Sequence, residues 1–204
     1  MSETLTIGIT GGIGAGKSVV SRVLRCNGFR VYDCDLEAKR LMKEDQNLRN
    51  ALTEKLGCDI YNCDGAINRN LLASLLFSDA SVRVFVNSVV HKAVREDIKL
   101  RKRKEEGLFF IESALLATSG LTEMCDNIWL VVAPKERRIR RIAKRDNLKT
   151  GDIEKRMGSQ SEEIKLIEKF HPIVIENDNG NSVLTEVLRL TDKYINNQTY
   201  TILC

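Results

Sequence analysis

The chain has 204 residues, 43% hydrophobic and 29% charged, with 32 lysines and arginines against 28 aspartates and glutamates for a net charge of +4. Such a length builds one substantial core with room for inserted subdomains, and so mild a positive charge suits a polyanionic small molecule as well as nucleic acid. The six cysteines, at 26, 34, 58, 63, 125 and 204, show neither zinc-site spacing nor the density of a secreted disulfide scaffold, two histidines argue against a metal cage, and no apolar run reaches membrane-spanning length.

From the N-terminus, MSETLT lacks the basic and apolar segments of a secretory signal, and Cys204, as the last residue, is not a prenylation site, so a cytoplasmic protein with free thiols is expected. Leu5 to Thr10 reads as a buried strand, followed by the glycine-rich stretch GITGGIGAGKS at 8 to 18. Ser18 to Asn27 reads as a helix, because Val19, Val20, Val23 and Leu24 share one face and Gly28 supplies a stop. Phe29 to Asp33 is the second strand. The insert from 37 to 104 is too long for a single crossover and reads as a helical subdomain: Leu36 to Met42, Leu48 to Leu56, a turn-rich break at Cys58 to Ala66, Leu71 to Phe77, and a long helix from about Ser81 to Lys104.

Strands follow at Leu108 to Glu112 and Ile128 to Ala133. Pro134 suits a first helical turn and opens a basic helix reaching about Arg145. A second, polar helix is expected from Asp152 to Phe170, then a strand at Ile173 to Glu176 and an amphipathic helix from Val183 to Ile195. Five short apolar strands alternating with helices predict an α/β fold, a three-layer α/β/α core around a five-stranded parallel sheet. The core takes 1–36, 105–133 and 171–204, with helical excursions at 37–104 and 134–170.

From Gly11, GGIGAGKS fits G-x-x-x-x-G-K-[ST], with a strand before it and a helix after, the context a P-loop requires. Glycines let backbone N–H groups converge on an anion, and the helix adds the positive end of its dipole. Gly12, Ile13, Gly14, Ala15, Gly16, Lys17, Ser18 and Val19 are therefore the expected nucleotide-binding residues. Lys17 would reach the β- and γ-phosphates and the Ser18 hydroxyl would join a Mg²⁺ shell. The bland alternative is a tight turn with an incidental lysine. At the end of the second strand stand Asp33 and Asp35. If the extended backbone persists to Asp35, the period of two aims both carboxylates to one side. One carboxylate can take the proton of an attacking hydroxyl while the other supports it or a Mg²⁺ water. Asp35 is the expected base, although Asp35 or Cys34 could instead cap a helix beginning at Leu36.

With these residues in place the sequence resembles the dephospho-CoA kinase family. Thr10 to Ser18 is similar to its TGGIGSGKS-like loop, and VYDCD at 31 to 35 to its VIDAD-like strand end. INRNLLASLLF at 67 to 77 resembles LDR..L...VF through Arg69, and VNSVVHKAV at 86 to 94 resembles L..I.HP.V through His91. ESALLATSGL at 112 to 121 resembles D.PLLFE.GL, with Glu112 for its aspartate and Thr118 for its second acid. Arg138 to Asp146 is similar to Q..R...RD, with Arg138 in place of glutamine and Arg141 and Arg145 matching. RMGSQ at 156 to 160 resembles R...Q, VIEN at 174 to 177 resembles VIDN, and His171-Pro172 replaces an Ala-Asp pair.

The resemblance implies transfer of the γ-phosphoryl of ATP, with Mg²⁺, to the ribose 3′-hydroxyl of dephospho-CoA. It implies an acceptor-binding insert at 37–104 carrying Arg69 and His91, and a lid at 134–170. A kinase must keep water from its bound triphosphate. In the basic helix Ile139, Ile142 and Ala143 share one face, while Arg137, Arg141 and Arg145 project from the other with Arg138 nearby, a stripe able to clamp a phosphoryl group or merely to face solvent. Lys17, Asp33, Asp35 and Arg141 are the expected catalytic residues, and Arg145 joins the nucleotide set. Asp35, Arg69, His91 and Glu112 form the substrate set, and Ser18 and Glu112 the metal set, although Glu112 could equally cap a turn. The run KLRKRK at 99 to 104 reads as a helix end whose cations suit the dipole. A monomer acting on a small molecule, with neither nucleic acid nor membrane, is expected. A kinase for another small acceptor, or a non-catalytic P-loop regulator, is the competing reading.

Overall fold

The computed structural model describes residues 4–178, 180 and 182–202, the side chains of 197–202 excepted, so Met1 to Glu3 and Cys204 lie outside the described residues. Five strands, β1 (Leu5–Thr10), β2 (Val31–Asp33), β3 (Leu108–Glu112), β4 (Asn127–Val132) and β5 (Ile173–Glu176), form one parallel sheet in the order β2-β3-β1-β4-β5. In register, Ile7 lies beside Phe110 and Asn127, and Trp129 beside Ile173. Every residue of β1 after Leu5 is buried, as expected of a strand covered on both faces.

One face carries Ile7, Ile9, Phe110, Trp129, Val131 and Ile175, which pack with helix α1 (Lys17–Cys26) through Val20 and Leu24. Helix α9 (Val183–Ile202) joins them through Val187 and Leu190. Each fully buried side chain of this size contributes roughly 1.5–3 kcal/mol. On the other face the chain comes close at Gly8, where an added Cβ would lie 2.7 Å from Leu116 and 2.8 Å from the Cys125 sulfur.

The expected strand at Phe29 begins two residues later, at Val31. The Gly28 and Phe29 amides turn back to the Arg25 and Leu24 carbonyls, a Schellman closure of α1 that removes Phe29 from the sheet. The polar helix expected at 152–170 is two helices, α7 (Thr150–Gly158) and α8 (Ser161–Glu168). Between them the Ser159 hydroxyl donates to the Arg156 carbonyl and the Ser161 hydroxyl to the Gly158 carbonyl, so side chains compete with the helical ladder and break it. They follow α6 (Lys135–Asp146), for which Pro134 is the N-cap.

The chain divides into two compact units, one of residues 1–32 and 104–204 and the other of 33–103. In the second, α2 (Cys34–Glu44), α3 (Gln46–Leu56) and α4 (Arg69–Ser78) pack on the 23-residue α5 (Ala80–Lys102). Each opens on a side-chain cap, Asp33, Asp45, Asn68 and Asp79 in turn, accepting from an amide of the first turn. Such caps stabilise a helix by about 1 kcal/mol each. Among the described residues no helix is long and apolar enough to cross a membrane.

Candidate functional site

The loop between β1 and α1 is shaped by what surrounds it as much as by what it can hold. Gly16, the N-cap of α1, has φ +107, and a Cβ there would collide with the Asn177 amide. No side chain caps α1, and its first turn holds no acid, so the positive end of its dipole is left for an anion. The Lys17 ammonium folds back over the loop and donates to the Gly11 carbonyl at 2.8 Å. Ser18 and Val19 are exposed at the helix start.

Helix α6 is anchored by the buried Ile142 and lays two arginines on this loop. Arg141 donates to the Gly14 and Ala15 carbonyls at 3.3 and 3.2 Å and to the Asn177 Oδ1 at 3.1 Å. The Asn177 Nδ2 donates to the Ala15 carbonyl at 2.8 Å, closing a triangle between the loop, α6 and the end of β5. Arg138 donates through Nε to the Ile13 carbonyl at 2.9 Å, and burial pushes its guanidinium pKa down. The Ile13 amide donates to the Gln160 Oε1 at 2.6 Å, so the joint between α7 and α8 is also fastened to the loop. Arg145, expected with the nucleotide, is exposed and forms a two-pronged pair with Asp146 at 2.7 and 3.0 Å. Its pKa is raised and that of Asp146 lowered, each chiefly by this hydrogen bond.

Glu112 ends β3 beside Ile9 of β1, and the Ser113 amide continues the ladder to the Ile9 carbonyl at 3.0 Å. The loop that follows is held by Glu163 of α8, whose buried carboxylate accepts from the Ala117 and Thr118 amides at 2.6 and 3.0 Å. An acid from the helical excursion thus reaches Thr118, the position where this chain has threonine in place of the pattern's second acid.

The remaining expected residues lie in the second unit. Asp33 is itself the cap of α2, accepting from the Leu36 amide at 3.0 Å, and Asp35 is exposed in the first helical turn. The strand-like alternation expected for the two carboxylates is therefore wrong, because the cap starts the helix at Cys34. Capping falls to Asp33 rather than to Cys34 or Asp35. Arg69 is exposed as the first residue of α4. His91 is half-buried on α5, its pKa lowered by burial and then by the Arg95 cation. A cleft of about 400 Å³, lined by Leu41, Leu48, Ala51, Val89 and Ala93 among others, includes neither Arg69 nor His91.

Gln160 and Asn177 were visible in the sequence only as motif positions, and Glu163 not at all. Among the described residues no group of three His, Cys, Asp or Glu side chains is arranged to hold a metal ion.

Residues 5–182 match the family model described as dephospho-CoA kinase. A dephospho-CoA kinase of Porphyromonas gingivalis is 38% identical over 189 residues, covering 92% of this chain and 93% of that one. A solved protein from Thermus thermophilus is 31% identical with a TM-score of 0.76, over 92% of this chain and 96% of the other. The dephospho-CoA kinase of Campylobacter jejuni, at 22% identity, superimposes with a TM-score of 0.70 over 95% and 99% of the two chains.

Proposed function

The chain belongs to the dephospho-CoA kinase family, and from that premise we propose how its own residues phosphorylate the ribose 3′-hydroxyl of dephospho-CoA with ATP, yielding coenzyme A and ADP. The observation that carries the reading is the braced glycine loop, with Lys17 at the uncapped start of α1 and Arg141 and Asn177 locking Ala15. A cradle stiffened before the ligand arrives needs little reorganisation to stabilise charge in transit.

In this reading the triphosphate lies along the loop and helix start from Gly12 to Val19, and Lys17 moves from the Gly11 carbonyl onto the β- and γ-phosphates. The acceptor oxygen bonds to the γ-phosphorus, the bond from that phosphorus to the β–γ bridging oxygen breaks, and Asp35 receives the hydroxyl proton. Asp33, engaged as a cap, orients the turn that bears Asp35. Arg141 meets charge on the transferred group, and Arg145 turns from Asp146 to the nucleotide. The insert, with Arg69 and His91, takes the acceptor, assisted by Glu112. Residues 134–170 act as the lid that excludes water. Ser18 and Glu112, oxygen donors with no ion-pair partner among the described residues, fit the chemistry of Mg²⁺, which favours one or two protein oxygens plus phosphates over an all-protein cage. When bound, the ion would neutralise phosphate charge. The enzyme is proposed to work as a cytoplasmic monomer, without nucleic acid.

The test is ADP release by the purified chain with and without dephospho-CoA, alongside nucleoside monophosphates and sugar acids as alternative acceptors. Turnover that depends on dephospho-CoA is expected. Turnover only with another acceptor would overturn the substrate assignment, and salt-sensitive nucleic-acid binding without turnover would favour a regulatory module.

A further inference from the structure

The cations around the loop are not equivalent. Arg145 is paired with Asp146, and both terminal nitrogens of Arg141 donate to carbonyl oxygens and Asn177, so each must give up a present partner to reach a ligand. Arg138 differs. Its Nε is fixed on the Ile13 carbonyl, yet its two terminal nitrogens have no acceptor among the described residues, and no carboxylate pairs with it there. Nη2 lies against Gly12, in the place a Cβ at that residue would occupy. The side chain is half-buried, and an unpaired cation taken out of water is costly unless an anion arrives to meet it.

We propose that Arg138 is a phosphate ligand of this enzyme, its terminal guanidinium nitrogens donating to the phosphate chain of the nucleotide held by the loop. The inference rests on the reading of that loop as the ATP site. Gly12 is small in part to admit this guanidinium, and the Nε bond to Ile13 holds the fork in place so that little side-chain freedom is lost on binding. The residue is a feature of this chain: the sequence pattern carries glutamine at the position, which could brace Ile13 but could not supply charge.

The discriminating variant is Arg138→Gln, which keeps a donor for the Ile13 carbonyl and removes the cation; Arg138→Lys restores the charge, and Arg138→Met serves where glutamine does not fold. Calorimetric titration with ATP, ADP and adenosine is run on each, with thermal unfolding to establish folding. Arg138→Gln is expected to weaken ATP and ADP about tenfold or more, as loss of a charged hydrogen bond implies, and to leave adenosine within about twofold. The dependence of ATP affinity on salt should flatten, and Arg138→Lys should recover part of the loss. ATP affinity unchanged in Arg138→Gln, or an equal loss for ATP and adenosine, would overturn the proposal and leave Arg138 as a brace for Ile13. Failure of the unmutated chain to bind ATP would instead overturn the reading of the loop.

Discussion

Glu163 is 3% exposed and faces two backbone amides, so each carboxylate oxygen has a donor and, among the described residues, neither is paired with a cation. Glu163→Gln retains one acceptor and sets an NH₂ group against a backbone N–H. Leaving a buried donor unpaired costs about 1–3 kcal/mol, a loss readable in urea unfolding; a change below about 0.5 kcal/mol, ordinary for a surface site, would show that the contact carries little. His91 titrates in the opposite sense to a paired histidine. Burial and Arg95 hold its folded pKa below the ordinary 6.5, so the neutral form is the one the fold favours. Its contribution is therefore present above pH 6.5 and lost as pH falls through the lower folded value. Unfolding midpoints of the unmutated chain should drop as pH falls below 6.5 more steeply than those of His91→Gln, and parallel curves would contradict this. Neither behaviour was legible in the sequence. Glu163 is one of several acids on a polar helix, and whether a lone histidine is half-buried depends on what packs over it.

Among the elements, α2 and α5 are joined by a ring of charge. Arg40 contacts Glu37 at 2.6 Å, Asp97 at 2.8 Å and Glu44 at 3.2 Å, while Arg101 reaches the same Glu37 and Asp97 oxygens at 2.8 and 3.1 Å. The Arg40 pKa is raised, first by the Glu37 hydrogen bond. Glu37 and Asp97 are only 15% and 17% exposed, so removing one cation leaves two poorly solvated carboxylates sharing Arg101. Arg40→Met is expected to destabilise by about 1–3 kcal/mol, less than the loss of a wholly buried pair. Denaturant unfolding of the variant reads this, and an unchanged midpoint would mean that Arg101 suffices. Apolar periodicity placed the helices of this region but began them at Leu48, Leu71 and Ser81, one or two residues late, because the caps Asp45, Asn68 and Asp79 start each helix before its first apolar position. Asp33 was misjudged, since three acceptors in succession, Asp33, Cys34 and Asp35, offered rival starting points. The division of α7 from α8 was missed for a related reason. Serines 159 and 161 are compatible with a helix until Gln160 is drawn to Ile13.

At the scale of the whole molecule, a ligand that binds only the folded chain must stabilise it. ATP at 100 times its dissociation constant should add about 2.7 kcal/mol, a rise of roughly 5–10 °C for a chain of this size. Lys17→Ala should reduce that rise and lower turnover chiefly through kcat, because the ammonium meets charge that shifts in the transition state. An equal thermal rise and equal maximal rate in the variant would remove Lys17 from the mechanism. The five strands, their parallel sense, the helices of the insert and the glycine loop were all determined by the sequence alone, because periodicity, capping and loop chemistry act across a few neighbouring residues. The strand order β2-β3-β1-β4-β5 was decided only in the folded chain, as was the clasp on the loop, where Gln160 meets Ile13 across 147 positions and Asn177 meets Ala15 across 162. Such contacts have no local signature: they depend on the path of the chain between their ends, and packing of the whole selects that path.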